Sequence, residues 1–137
     1  LKAHQMADIP LNSANIQDKL PEGGPLVGIF RALSTYKDAS FLVLACDMPN
    51  LNLVILNQLL EKRKPNKQGT FFFNERRTSI EPLVGIWEAS ALEIVTQSVE
   101  QENFGLMPLL KKMDVELIHD VDPRTFLNVN RKEDFHF

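Results

Sequence analysis

The segment FLVLACDMP at residues 41–49 constrains the fold of this chain more than any other. It begins with six apolar or small residues, and Pro49 cannot donate to a hydrogen-bonded ladder. An apolar run of this length, bounded by a proline, predicts a strand that is buried on both faces, as in parallel sheets. We therefore expect a strand at 41–46, with Cys46 as a small buried residue on it.

Asp47 follows this predicted strand at once. Ligands of open α/β folds bind at the carboxyl ends of the strands, and carboxylate oxygen suits a Mg²⁺ ion that bridges substrate phosphates. Asp47 is therefore a candidate metal ligand. The alternative is that its side chain caps the turn or the next helix.

The composition predicts one globular domain over residues 1–137, which is long enough to bury a core. The chain is 44% hydrophobic and 24% charged, and its formal net charge of −3 argues against a nucleic-acid-binding surface. One cysteine allows no disulfide framework and indicates a reduced, cytoplasmic setting. No apolar stretch approaches the length of a membrane span, so we expect no membrane association.

Hydrophobic periodicity predicts that helices and strands alternate along the chain. Helices are predicted at 25–33, 53–62, 88–99 and 105–112, and strands at 70–73, 82–87, 113–118 and 126–130. In the helix at 53–62, the predicted apolar face consists of residues 53, 56, 59 and 60. This alternation indicates an α/β fold with βαβ units on a mainly parallel sheet.

A glycine-rich helix start precedes the buried strand. Gly24 allows the backbone to approach a ligand closely, Pro25 suits the first helical position, and Leu26 follows it. The free N–H groups of a first helical turn favour anions. The alternative is a plain junction between a loop and a helix.

Two asparagines mark the last predicted strand. Alternation places Asn128 and Asn130 on one face, where two amides could read the donor–acceptor edge of a heterocycle. Asn130 also has the capping-box spacing to Glu133. The two roles are compatible.

Weaker candidates lie in and after the polar loop at 74–79. Arg76 and Arg77 could reach a phosphate, although a solvated hairpin tip is the favoured interpretation. Glu81 and Pro82 open the next strand with an acid at its edge. The three histidines have no metal-ligand spacing to one another or to Cys46, which argues against a zinc site.

These motifs, in this order, resemble those of the molybdenum cofactor guanylyltransferases, also called molybdopterin-guanine dinucleotide biosynthesis protein A. The shared motifs are an acid at Asp18, GPLVG at 24–28, CDMP at 46–49, EPL at 81–83 and LNVN at 127–130. The resemblance implies a three-layer, Rossmann-like nucleotidyltransferase fold. It also implies an enzyme that transfers GMP from GTP to molybdopterin with Mg²⁺ and releases pyrophosphate.

The resemblance also implies a role for each candidate residue. Asp47 would be the catalytic metal ligand. The nucleotide would contact Asp18, Gly24, Pro25 and Leu26. Molybdopterin would contact Asn128 and Asn130, with Glu81 and Pro82 bordering the same cleft.

The chain departs from the family pattern in two places. The glycine-rich loop with Arg and Lys that wraps the GTP triphosphate is absent, and residues 1–5 resemble the third strand of the family and the segment after that strand. We therefore expect that the N-terminal strands, about a quarter to a third of the family domain, precede these residues, and that the chain alone is inactive. After the asparagines, Arg131 and Lys132 replace the usual Thr-Pro.

Two other functions stay open at this stage. One is a related nucleotidyltransferase that transfers CMP to molybdopterin, or a nucleotide to a sugar phosphate. The other is a non-catalytic module that binds a ligand or docks a partner. On the guanylyltransferase interpretation the expected partners are GTP and molybdopterin as substrates, with a second copy of the chain and other proteins of the molybdenum cofactor pathway as further candidates.

Overall fold

The structure is a computed structural model that describes residues 2–4 and 24–127. The strands are β1 (Lys2–His4), β2 (Phe41–Leu44), β3 (Gly69–Asn74), β4 (Ser79–Trp87) and β5 (Val115–Ile118). The α-helices are α1 (Pro25–Thr35), α2 (Leu53–Lys62), α3 (Leu92–Glu100) and α4 (Leu106–Lys112). Short 3₁₀ turns occur at Ala89–Ala91 and Pro123–Phe126.

The strands form one sheet in the order β1-β2-β4-β3-β5. Strands β2 and β3 both pair antiparallel with β4, and β5 pairs parallel with β3, so β2, β3 and β5 run in one direction. Strands β1 and β4 run in the opposite direction. The α/β class is thus confirmed, but the described sheet is mixed and not mainly parallel. The reason is the short hairpin between β3 and β4, because a tight turn can join only antiparallel neighbours.

Strand β2 is buried on both faces, as predicted. Phe41 and Val43 contact one hydrophobic core cluster and Leu42 contacts the other. The strand ends at Leu44, earlier than predicted, and the chain turns immediately afterwards. As a result the thiol of Cys46 is exposed, and the prediction of a buried cysteine is wrong.

Helices cover both faces of the sheet, which confirms the three-layer arrangement. Helices α1, α3 and α4 pack on one face with Phe71 and Trp87, and α2 packs on the other face with Phe72 and Ile86.

The buried face of α2 agrees with the prediction only in part: Leu59 is buried and Leu56 packs against the same core, as predicted. Ile55 and Leu59 are buried, whereas Leu53 and Leu60 are 74% and 44% exposed. Apolar residues surround the first turns of this helix, so hydrophobic periodicity alone could not indicate which side meets the sheet.

Most of the predicted last strand, residues 128–130, lies outside the described residues, and the two described residues of that segment end a 3₁₀ turn. Phe126 ends a 3₁₀ turn that Asp122 caps by accepting a hydrogen bond from the Arg124 N–H at 3.0 Å. The ring of Phe126 is buried, and its centroid lies 5.5 Å from that of Phe72. None of the helices in the described ranges is long and apolar enough to span a membrane.

Candidate functional site at the carboxyl edge of the sheet

Several polar side chains meet at one edge of the sheet because of the strand directions. Strands β2, β3 and β5 end at this edge and β4 begins there. Asp47 therefore follows β2 at the edge, Asn74 ends β3 there, and Glu81 lies near the start of β4. This is the edge where α/β proteins bind their ligands.

The pairing of β2 with β4 brings Asp47 and Glu81 together. The register pairs Leu44 with Val84, and beyond it the Ala45 N–H donates to the Leu83 carbonyl at 2.8 Å. Asp47 follows two residues later in the turn after β2, at the same edge as Glu81. The negative charge of Asp47 acts on the Glu81 carboxyl, consistent with this placement.

Glu81 is a buried acid, only 4% exposed. Burial raises the pKa of its carboxyl group above the ordinary value, and the charge of Asp47 raises it further. The positive charge of Arg77 and a hydrogen bond from the Asn74 side chain act against this rise and stabilise the ionised form. The net result is a carboxylate whose negative charge is costly unless a cation lies close to it.

Asp47 does not cap the next helix, which was one part of the alternative that it caps the turn or that helix. The side chain of Asn52 caps α2 by accepting a hydrogen bond from the Ile55 N–H at 3.1 Å. Asp47 is itself only half-buried. Within the described part of the chain, no hydrogen bond to its carboxylate is found.

The Asp47–Glu81 pair suits a hard divalent cation. In the described ranges, no group of three or more His, Cys, Asp or Glu side chains could hold a metal ion. Two carboxylates are nevertheless a usual protein contribution to a Mg²⁺ site, because this ion keeps several waters and takes substrate phosphates as further ligands. The donor set and the unfavourable negative charge on Glu81 both fit such an ion.

The glycine-rich helix start points toward the same edge. Helix α1 leads through a short turn into β2, so its N-terminus lies at the end of the molecule where β2 finishes. Gly24 precedes the helix with a φ of 58°, a conformation that favours glycine, and a Cβ there would contact nothing within 4 Å. The side chain of Leu26 is fully buried in the core, so only its backbone is available to a ligand.

Of the other predicted site residues, the structure describes only Pro82. Pro82 is half-buried and directly follows Glu81 in β4. Asp18, Asn128 and Asn130 lie outside the described residues.

Asn74 was missed by the sequence reasoning, although it organises the site. It is 3% exposed, and its Oδ1 accepts hydrogen bonds from the backbone N–H groups of Arg76 and Arg77 at 3.1 and 3.3 Å. An asparagine at the start of a polar turn is a known signal for this hydrogen-bonding pattern. The sequence signal therefore existed, but the contact of Asn74 with Glu81 depends on tertiary structure.

The fold has three layers, with an acidic pair and a glycine-led helix start at the carboxyl edge of its sheet. This combination is typical of proteins that bind phosphorylated ligands. Residues 3–118 match the model of the MobA-like NTP transferase domain. The chain therefore belongs to that family, which confirms the family resemblance found in the sequence.

Two relatives and one solved structure illustrate the similarity. A probable molybdenum cofactor guanylyltransferase of Flavobacterium johnsoniae is 32% identical over 121 residues, which cover 88% of this chain and 58% of that protein. A molybdenum cofactor biosynthesis bifunctional protein of Synechocystis is 27% identical over 127 residues, 90% of this chain and 36% of that protein. The chain thus spans less than two thirds of the length of either relative.

The solved structure confirms the fold class. It is the molybdopterin-guanine dinucleotide biosynthesis protein A from Archaeoglobus fulgidus, with a TM-score of 0.67 and 24% sequence identity. The match covers 81% of this chain and 58% of that one.

Proposed function

We propose that the protein is a nucleotidyltransferase that transfers GMP from GTP to molybdopterin, depends on Mg²⁺, releases pyrophosphate and works in the cytoplasm. Residues 1–137 would form one nucleotidyltransferase-like domain of it. The observation that carries this proposal is the Asp47–Glu81 pair at the carboxyl edge of the sheet. Membership of the MobA-like family and the names of the relatives support the reaction type and the substrates.

In this reaction, an oxygen of the molybdopterin phosphate attacks the α-phosphorus of GTP, the bond to the β-phosphate breaks, and pyrophosphate leaves. Asp47 and Glu81 would hold the Mg²⁺ ion. When bound, the ion offsets the negative charge that the phosphates bring together. Glu81 is buried, so its charge acts in a region of low dielectric constant, where electrostatic interactions are stronger than in water.

The remaining residues would position the two substrates. Gly24, Pro25 and Leu26 would lie along the nucleotide, where the positive end of the α1 dipole favours phosphate oxygens. Asp18 would lie on the same side. Pro82, Asn128 and Asn130 would contact molybdopterin.

Asp47→Asn tests the proposal in the protein that the whole gene encodes. The substitution keeps the size of the side chain and removes its charge. We expect guanylyl transfer to fall at least about a hundredfold, because a group that stabilises transition-state charge contributes that much. Calorimetric titration with Mg²⁺ should show weaker binding.

Asp38→Asn is the matched control. Asp38 is an exposed aspartate in the turn before β2, at the opposite end of the same strand. The Asp38→Asn variant should leave guanylyl transfer and Mg²⁺ binding unchanged. Near-normal, Mg²⁺-dependent transfer by a folded Asp47→Asn variant would rule out Asp47 as the metal ligand.

A further inference from the structure

The tip of the β3–β4 hairpin, residues 75–78, is held against the site edge from two sides. On one side, the Glu75 carboxylate pairs with Nδ1 of His119 at 3.3 Å, just after β5. The rings of His119 and Phe73 also lie 5.1 Å apart between centroids. These contacts join the hairpin to β5.

On the other side, Asn74 connects the hairpin tip to Glu81. Its buried side chain accepts hydrogen bonds from the N–H groups of Arg76 and Arg77. The same side chain favours the ionised form of the Glu81 carboxyl. Thr78 adopts a φ of 51°, an uncommon conformation for a β-branched residue that persists only when neighbouring contacts hold it. The tip is therefore a fixed feature of the edge.

The charged side chains of the hairpin tip interact with different neighbours. The acidic side chain, Glu75, contacts His119, whereas Arg77 is the arginine whose charge acts on Glu81. The backbone of Arg77 is thus held by the Asn74 side chain, and its guanidinium is near enough to Glu81 to act on that carboxyl electrostatically. Two carboxylates alone would repel an anionic substrate, and a nearby arginine reduces that repulsion.

We propose that Arg77 binds a phosphate group of a substrate at the edge formed by Asp47 and Glu81, and that Asn74 positions Arg77 for this contact. The planar guanidinium matches a phosphate in a bidentate manner, which a lysine cannot reproduce. The proposal rests on the proposed function, which brings two phosphates to this edge, the nucleotide triphosphate and the acceptor phosphate. Either could be the partner of Arg77.

Steady-state kinetics of Arg77→Gln in the protein that the whole gene encodes will test this inference and identify the phosphate. We expect KM to rise about tenfold to a hundredfold for one substrate, because hydrogen bonds between charged groups contribute this much. A rise for GTP assigns Arg77 to the nucleotide, and a rise for molybdopterin assigns it to the acceptor. Arg77→Lys should recover only part of the loss.

Arg76→Gln is the matched control, since it removes the same charge from the neighbouring residue of the same exposed tip. It should change either KM less than about threefold, as expected of an exposed charge that does not contact the substrate. Equal effects of Arg76→Gln and Arg77→Gln would overturn the proposal, because they would indicate a general charge effect.

Asn74→Ala tests the positioning role. It should raise the same KM as Arg77→Gln. The double variant Asn74→Ala/Arg77→Gln should have a KM little higher than that of either single variant, because both substitutions act through one contact. Circular dichroism must show that the variant is folded. A folded Asn74→Ala variant with normal KM values would refute the role of Asn74.

Binding of inorganic pyrophosphate with Mg²⁺, followed by NMR, separates this inference from the proposed function. If the protein transfers no GMP, yet Arg77→Gln weakens pyrophosphate binding about tenfold and Arg76→Gln does not, the phosphate contact stands and the reaction is wrong. If GMP is transferred but Arg77→Gln leaves both KM values and pyrophosphate binding unchanged, the reaction stands and the phosphate contact is wrong.

Discussion

Replacing Arg63 with glutamine should destabilise the fold strongly, because a buried carboxylate would lose its charge partner. Glu88 is 3% exposed. Arg63 donates from Nε to one of its carboxylate oxygens at 2.8 Å and from Nη2 to the other at 2.9 Å. The Ser40 hydroxyl donates to the same carboxylate at 2.5 Å. Removing one partner of a buried ion pair costs about 3–5 kcal/mol, since the remaining charge stays away from water.

Urea denaturation followed by tryptophan fluorescence provides the assay. Trp87 is the one tryptophan of the sequence, is fully buried, and directly precedes Glu88. With a slope of about 2 kcal/mol per molar urea, a loss of about 3–5 kcal/mol lowers the unfolding midpoint by about 1.5–2.5 M.

The complementary variant should be milder. Glu88→Gln leaves the charge on Arg63, whose side chain is 21% exposed and can reach water, whereas Arg63→Gln leaves the charge on the buried partner. The double variant Arg63→Gln/Glu88→Gln should therefore be more stable than Arg63→Gln alone, because no buried charge remains.

Arg124→Gln is the control, since Arg124 forms a 2.7 Å ion pair with Asp122 that is exposed on both sides. It should hardly change the midpoint, because exposed ion pairs contribute little. A midpoint for Arg63→Gln within about 0.5 M of wild type, or a double variant as unstable as the sum of the singles, would refute the reasoning.

Glu81→Gln should be more stable than wild type at pH 7, because burial raises the pKa of Glu81 in the folded state and its ionised form opposes folding. The difference should shrink as the pH falls from above the raised pKa to below 4.5, where the carboxyl is protonated in both states. A constant difference between the urea midpoints across this range would contradict the prediction. Gly85→Ala should cost about 1–3 kcal/mol in thermal unfolding, because the new Cβ would lie 2.6 Å from Cε1 of the buried Phe71 ring. In a Phe71→Leu background, Gly85→Ala should cost less stability than it does in the wild-type protein. An equal cost in both backgrounds would show that the Phe71 ring is not the obstacle.

The local elements could be predicted from the sequence because hydrophobic period and breaking residues act over a few neighbours. The helices at Pro25–Thr35 and Leu53–Lys62 and the strand at Phe41–Leu44 lie close to their predicted bounds. The position of Asp47 after a buried strand followed from the same pattern. The ordered motifs also predicted the family that the comparison confirmed.

Side-chain surroundings could not be predicted in this way. Cys46 was expected in the core and is exposed, because the strand ends at Leu44. The buried side of α2 differed from the prediction at Leu53 and Leu60, because several sides of its first turns are apolar.

The sequence by itself determined where most helices and strands lie, which acid follows the buried strand β2, and which family the chain belongs to. Only the tertiary structure decided that the sheet is mixed and that Asp47, Asn74 and Arg77 act on the buried Glu81 carboxyl. The physical reason is separation along the chain. Periodicity reports the local backbone, whereas strand register and burial arise from contacts between segments tens of residues apart, which form only when both helical layers cover the sheet.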